Sequence, residues 1–525
     1  MRSKPLYVVA LLGVVLGFVA ALFLQSVTKK RAMDVNSADW SKLNLVLQQV
    51  RQNYVDEVNV PDLTDAAIVA ALAKLDPHSV YLPPVEQEQA ESDLAGNFDG
   101  IGIQFNVPND TAIVLEVIPG GPSEKAGLLP GDRILEVGGK VIAGVKFPQD
   151  SMVRRMKGPA GTTVNIKIGR DKETVSFDIV RGKIPIHCVD ASFMLNDTTG
   201  YIRLTKFSAT TYQEVTQAAL SLVAEGMRKL VLDLRDNTGG YFNQAILLAN
   251  MFLGKDASIV YLEGLHRNRE EFTANGKGLL QEIDLVVVLN ESSASSSEIF
   301  AGAIQDNDRG VLVGRRSFGK GLVQEPLFFS DGSAVRISVA RYYTPSGRCI
   351  QRPYSSDEEY SSDLYRRYTD GEMFSADSVK TDTTEVYYTV AGRRVYGGGG
   401  ILPDIYVPMD TTRATNFYIK CNRKSLSMKF ASAMFDTHKA KLSVIDNYGK
   451  LESYLETLDL EKSFLRFAAR EGVIPAKGEW AQTKTYMLPQ LRALIGRYSK
   501  LGQEAYYRFY LPIDDTIGIA ETASL

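Results

Sequence analysis

The chain has 525 residues, 45% of them hydrophobic and 23% charged, with a net charge of −3. That length allows several domains and at least one large core, and the charge balance excludes the basic excess of a nucleic-acid binder. Three widely spaced cysteines, Cys188, Cys349 and Cys421, make no disulfide framework, and no CxxC or His/Cys cluster points to a metal, so neither metal nor cofactor is expected.

Arg2 and Lys4 precede the run LYVVALLGVVLGFVAALFL, Leu6–Leu24. As a helix it would span about 28 Å, close to the thickness of a bilayer's hydrocarbon core. Its exit, Leu22-Phe23-Leu24-Gln25, is not the small-x-small pattern of a cleavage site. Residues 1–31 therefore read as an uncleaved signal anchor rather than a cleaved signal. Lys29, Lys30 and Arg31 nearly balance the charge before the span, so the positive-inside rule does not decide its topology.

Residues 32–95 form an N-terminal helical region after a short polar tether. Leu43, Val46, Leu47, Val50 and Tyr54 recur at helical spacing, and a second helix through AAIVAALAKL stops at LDPHS, where Pro77 ends it. The pair would serve as a lid, an oligomer interface or simple packing. Residues 96–182 then alternate short β-branched runs with Gly/Pro turns: GIGIQF, TAIVLEVIPGGPSEKAG, GDRILEVGGKVI and TTVNIKI. This stretch resembles a PDZ domain, above all in Pro122–Gly139. In such a module Gly100, Ile101, Gly102 and Ile103 would offer backbone N–H groups to a peptide C-terminal carboxylate, and the following strand edge would accept the peptide as an added strand.

From Gly200 the pattern becomes α/β. Gly200–Leu204, Lys229–Arg235, Asp284–Asn290 and Gly310–Gly314 read as buried strands, with helices over TYQEVTQAALSLVAEG, Asn243–Phe252 and Glu298–Gln305. Near-uniformly apolar strands alternating with helices argue for a parallel-rich sheet covered by helices. DGSAVRISVARYYTPSG reads as a hairpin-like strand and turn. Residues 354–396, rich in Tyr, Ser, Asp and Glu, read as a partly disordered or weakly structured insertion on the surface of a core spanning 183–408. Gly397–Gly400 is a hinge from which ILPDIYV returns to the core, and 409–525 is a helical C-terminal region.

Three segments of the α/β part carry chemistry. In NESSASSSEIF, Asn290–Phe300, a serine run sits where a buried strand turns into a helix. Ligands bind at such carboxyl ends of strands, and the helix N-terminus offers free N–H groups. A serine there could be a nucleophile or only a helix cap. In RRSFGKGLVQ, Lys320 lies between two glycines and Gln324 follows four residues later. Serine with a buried lysine is a nucleophile–base solution that needs no histidine. The lysine must be neutral to take a proton, which burial near Phe318 and Val323 would favour, and Gln324 would orient its amine. In LDLRDNTGG, Gly239 and Gly240 suit a turn that aims backbone N–H groups at an oxyanion. Asp233, Arg235 and Asp236 read as a structural ion-pair and turn network.

DLRDNTGG, SSASSSEIFAGAIQD and SFGKGLVQ, in that order, together with YYTPSGRCI and GGILPDI, resemble the carboxyl-terminal processing peptidases, the tail-specific serine protease family. The resemblance runs from about residue 40 to 408. It implies a multidomain α+β chain: a crotonase- and Clp-like α/β protease core with a PDZ domain between it and the N-terminal helices. It also implies a Ser–Lys dyad assisted by glutamine. The family's Ser-Ala-Ser-Ala-Ser-Glu pattern matches Ser293–Glu298 and selects Ser295 as nucleophile; Ser296 stands where the family has its second alanine, and its N–H can still serve an oxyanion. Lys320 takes the base position and Gln324 the glutamine position. The glycine-turn donor is Gly239 or Gly240. Ser317 replaces the family's usual threonine.

The implied activity is that of an envelope serine endopeptidase. It would capture protein C-terminal tails through its PDZ domain, with its body in the periplasm or outside the cell and its anchor in a bacterial inner membrane. A homo-oligomer or a regulatory partner is compatible with the helical ends. The alternatives are a non-catalytic PDZ scaffold that binds peptide C-termini, an acyl-CoA enzyme on a crotonase-like core, and a histidine-based triad using His266; His78, in LDPHS, reads as a helix-end residue.

Overall fold

The structure, a computed structural model, describes residues 38–525 apart from 109, 355–359 and 382. The apolar run Leu6–Leu24 lies outside the described residues. Among the described residues, no helix is long and apolar enough to cross a membrane. The chain divides into two compact units, residues 1–75 and 76–525. In the first, two helices are described, Ala38–Asn53 and Val60–Leu72, the second opening with a proline in its first turn, where the missing N–H has no helical partner to lose.

In the second unit, a six-stranded sheet is the frame of the α/β core. Its order is Val189–Met194, Thr199–Leu204, Lys229–Asp233, Asp284–Leu289, Val311–Gly314 and Ile405–Tyr406. The first pair is antiparallel and every other neighbour is parallel. Both faces are buried, which is why these strands read as continuous apolar runs. Ile202, Leu204, Leu230, Leu232, Val287 and Leu312 face the helices Thr211–Ala224, Phe242–Asn250 and Ser296–Asp306. On the other face, Tyr201, Val231, Val286, Val288 and Val313 are covered by Leu511, Ile517, Ala520 and Ala523 from the chain's end.

A second sheet stands beside this frame. The strand Ala334–Tyr343 pairs with Leu322–Phe328 along one side, and with Val80–Leu82 and Ser258–Gly264 along the other. The strand bearing Gln324 is thus held from one side only, with a register shift between Val323 and Gln324.

The 96–182 module folds around a sheet of five strands in the order Ile103–Asn106, Ala112–Val117, Arg133–Val137, Thr163–Arg170 and Glu173–Val180, with Lys140–Val141 added on Arg133–Val137. Its own core includes Ile101, Val114, Ile134, Met152 and Ile166. The C-terminal region is a helical domain from Asn416 to Thr522 with a core built on Phe417, Phe430, Phe435 and Phe464. It also seats the β-rich module: Leu115 packs on that core, and Arg133 bonds Asp436 at 2.5 Å.

The 354–396 stretch departs from the expectation of a weakly structured surface insertion. Its described part contains the helix Asp363–Thr369 and a hairpin of Val386–Tyr388 with Arg394–Tyr396. Tyr360, Arg367 and Met373 are buried. Few aliphatics suggested little core. The segment docks instead by aromatic rings and ion pairs, Arg316 with Glu372 and Arg352 with Asp363 among them.

Candidate active site

Three turns meet at the carboxyl ends of neighbouring parallel strands: Leu234–Tyr241, Asn290–Ser295 and Arg315–Gly321. The serine run binds the first turn along its length. Ser293 Oγ donates to the Leu234 carbonyl at 2.8 Å, Ser296 Oγ to Gly240 at 3.0 Å, and Ser297 Oγ to Asn237 at 2.8 Å. These three hydroxyls are occupied. Ser295 Oγ donates to no acceptor among the described residues, and with Glu298 it forms the capping box that opens the helix.

Ser295 also stands apart in its backbone. It caps the Ser296–Asp306 helix with φ 56° and ψ −114°, a conformation that L residues rarely adopt and that persists only where the surroundings enforce it. The enforcing contacts are close. A Cβ built on Gly239, where φ is +96°, would lie 2.8 Å from Ser295 Cβ and 2.9 Å from Ser296 N. Only glycine lets the first turn approach the serine this nearly. The Gly239 N–H donates to Asn237 Oδ1 at 2.9 Å. The Gly240 and Ser296 N–H groups have no acceptor among the described residues, the latter because the first N–H of a helix has no partner within it.

Glu298 joins the serine turn to the lysine turn. It is wholly buried, and its carboxylate accepts the N–H of Ser295 at 2.8 Å, of Gly319 at 2.7 Å and of Lys320 at 2.9 Å, and the Ser317 hydroxyl at 2.5 Å. Burial pushes its carboxyl up to about 7, against the pull of those four donors. From the other side, the buried Tyr342 hydroxyl lies 2.5 Å from the Lys320 carbonyl and 3.2 Å from the Ser295 carbonyl. Residues 295 and 320 are therefore bridged twice, once through their N–H groups and once through their carbonyls.

Lys320 is partly buried; burial first and Arg336 second lower its pKa from the usual lysine value. Its Nζ donates to Gln324 Oε1 at 3.0 Å. The Gln324 amide donates in turn to the carbonyl of His78. No hydrogen bond joins Ser295 Oγ to Lys320 Nζ in this arrangement. Arg367 donates to the carbonyl of Ser317 at 2.8 Å and reaches those of Phe318 and Gly399, and Ser317 is tied both ways to Ile401 beyond the glycine hinge. The whole turn bearing Lys320 is thus fixed by partners far away in sequence.

Two family models match the chain: a PDZ domain over residues 100–180 and peptidase family S41 over 198–359. The chain is 32% identical over 359 residues to the carboxy-terminal processing protease CtpA of Bacillus subtilis, covering 67% of this chain and 76% of that protein. It is 34% identical over 360 residues to a carboxy-terminal-processing protease of Bartonella bacilliformis, covering 67% of this chain and 81% of that one. The chain belongs to the carboxy-terminal processing protease family. Among solved structures, a photosystem II D1 C-terminal processing protease aligns over 71% of this chain and 88% of its own, at 26% identity and a TM-score of 0.36. By its two family models and its relatives, the chain is a peptidase with a PDZ domain and an S41 core.

In this peptidase residues 239, 240, 295, 296 and 320 lie on or beside the three adjoining turns, and Gln324 follows on the next strand with its amide oxygen on Lys320. The PDZ positions 100–103 lie apart, at the start of that module's sheet, where the N–H groups of Ile101 and Gly102 have no acceptor among the described residues and Gly102 takes φ +76°. His266 lines a cleft of about 640 Å³ with Leu322 and Ser338, without reaching Ser295. His78 is more than a helix end: its carbonyl holds Gln324, and burial, reinforced by the charge of Lys320, pushes its imidazole down to about 4. Asp233 sits in the expected network with Arg203 at 2.8 Å, Arg235 at 2.7 Å and the Tyr201 hydroxyl at 2.9 Å. Glu298, Tyr342 and Arg367 escaped the sequence reading. Glu298 had a signal, an acidic residue three positions after a capping serine; the other two had none.

Proposed function

We propose that this peptidase is an envelope serine endopeptidase that cleaves by a Ser295–Lys320 dyad after its PDZ domain has captured a substrate's C-terminal tail. The observation that carries the reading is the double bridge, Glu298 on the two N–H groups and Tyr342 on the two carbonyls, with the Ser295 hydroxyl proton given to no acceptor and its Cβ close to Gly239.

Ser295 Oγ attacks the peptide carbonyl carbon, and Lys320 Nζ, arriving neutral, takes the hydroxyl proton. The oxyanion is held by the Ser296 N–H and the glycine turn. Gly240 supplies the free N–H there; Gly239 would first have to release Asn237. Collapse breaks the C–N bond, and Lys320 gives its proton to the leaving amine. Lys320 then deprotonates the water that hydrolyses the acyl ester. Burial disfavours the ammonium, which suits a base, and Gln324 Oε1 keeps the amine oriented. Ser295 and Lys320 must close on each other when substrate binds, since catalytic contacts are often long before the Michaelis complex forms.

In the PDZ domain, the free N–H groups of Ile101 and Gly102, with Gly100 and Ile103 flanking, would take the tail's carboxylate. The run Leu6–Leu24 would anchor the chain in the inner membrane with this body on the outer side. Cleavage of a peptide with an apolar free C-terminus tests the reading. Loss of cleavage in both Ser295→Ala and Lys320→Ala supports the dyad; full activity in Lys320→Ala sinks it. Binding without cleavage by the wild-type protein would mark a scaffold. Amidating the peptide's C-terminus is expected to raise KM more than it lowers kcat.

A further inference from the structure

Gln324 has a side chain with two chemically opposite ends, and a turn from the start of the second unit decides which end meets the base. The His78 carbonyl accepts the Gln324 Nε2–H, and that commits Oε1 to Lys320. The turn itself is built around Asp76. Its carboxylate accepts the N–H of His78 at 2.8 Å, the N–H of Ser79 at 2.9 Å, the Ser79 hydroxyl at 2.6 Å and the Ser338 hydroxyl at 3.1 Å. Ser79 Oγ accepts the Ser338 N–H at 3.1 Å, which pins the turn to the strand paired with the one that bears Gln324.

A second anchor holds the His78 ring. Nε2 lies 2.6 Å from the Tyr360 hydroxyl, and the two rings meet edge-on at 5.3 Å. The Arg352 guanidinium lies against the rings of both Tyr360, at 3.8 Å, and Phe318, at 3.9 Å, which stand edge-on to each other. The Arg352 N–H also donates to the Gly319 carbonyl at 3.0 Å. Tyr360 therefore touches the turn that orients Gln324 and, through Arg352, the turn that carries Lys320.

We propose that Asp76 and Tyr360 are positioning residues of the peptidase, acting through the His78 carbonyl to hold the Gln324 amide in the one orientation that leaves Lys320 able to act as base. The inference rests on the Ser295–Lys320 reading. An acceptor oxygen facing the amine takes one of its N–H bonds and leaves the nitrogen lone pair for the Ser295 proton. A flipped amide would point an N–H at that lone pair and occupy it. Because a backbone carbonyl makes the choice, no side-chain substitution at 78 removes it directly; the supports at 76 and 360 are where the device can be weakened.

The test measures kcat and KM for peptide cleavage, with the thermal midpoint, in the full chain. Tyr360→Phe removes only the hydroxyl on His78, and Asp76→Ala removes the turn's acceptor; each is made alone and on Gln324→Ala. Each single variant is expected to lower kcat about five- to tenfold with KM unchanged, and to add nothing further on Gln324→Ala. Wild-type kcat in both, or losses that multiply in full on Gln324→Ala, would overturn the proposal. Should Asp76→Ala fail to fold, Tyr360→Phe decides by the same criteria. Lys320→Met separates the two levels. If it cleaves normally, the dyad itself fails; if it is inactive while Tyr360→Phe behaves as wild type on both backgrounds, the dyad stands and the positioning role falls.

Discussion

Ser295 is held by turns that continue directly from the strands they follow. The glycine turn ends one parallel strand, the serine turn ends its neighbour, and Ser293, Ser296 and Ser297 tie the two together within hydrogen-bond distance. Lys320 is held from four separate stretches of chain: Glu298 from the helix, Tyr342 from the second sheet, Arg367 from the 354–396 stretch and, through Gln324, the Asp76–Ser79 turn. The nucleophile side is held mainly by two adjoining turns, whereas the base side is assembled from distant stretches. Substitutions on the first should mainly cost stability, and on the second mainly kcat, apart from the two reacting groups.

The largest effect tests the base side at its centre. Lys320→Met is expected to lower kcat by on the order of 10³-fold or more. The same variant should be more stable than wild type at neutral pH. Burial and Arg336 lower the Lys320 pKa, so the folded chain favours the neutral amine and loses stability as pH falls below 10.5 toward the folded value. Methionine has no such loss, and thermal melts at pH 7 should show the higher midpoint; a lower one would mean that the ammonium is well compensated.

Glu298→Gln strikes a group shared by both sides. It puts an amide where four donors expect a carboxylate, and kcat should fall about 10- to 100-fold. It should also change the pH dependence of stability. The Glu298 carboxyl is raised from 4.5 to about 7 on folding. Its contribution is therefore fully present below pH 4.5 and is lost as pH rises to 7, about 3 kcal/mol in all. Denaturant titrations from pH 4.5 to 7 should show this slope in the wild type and its loss in the variant.

Arg367→Lys keeps a charge but not the planar fork that reaches the carbonyls of Ser317 and Phe318. A drop in kcat of about three- to tenfold is expected, with substrate binding unchanged. Unaltered kcat would return the 354–396 stretch to a peripheral role. Smallest is Ser297→Ala, on the nucleophile side. It removes one buried bond to the Asn237 carbonyl and should cost about 1 kcal/mol of stability in chemical denaturation while leaving kcat nearly unchanged. A loss of kcat with no loss of stability would blur the contrast.

The same contrast explains what could be read in advance. The strands were legible because burial on both faces makes them uniformly apolar, and the serine and glycine turns because each is one contiguous string beside its strand. Lys320 and Gln324 share one short string as well. The groups that hold them do not. Gln324 binds a carbonyl 246 positions away, and Tyr342 and Arg367 act through backbone carbonyls, which any residue carries. The 354–396 stretch misled because polar composition marks absence of an aliphatic core, not absence of specific docking. The Asp76–Ser79 turn announced its own geometry, an aspartate before proline capping the next N–H groups, without announcing what its carbonyl would face.

Covalent labelling by a serine-directed probe, followed by peptide mapping, bears most directly on the dyad. A single adduct on Ser295 in the wild type, formed at a rate that rises with pH as Lys320 deprotonates and lost in Lys320→Met, is the predicted result. An adduct on another serine, or labelling of Ser295 in Lys320→Met at the wild-type rate, would contradict it.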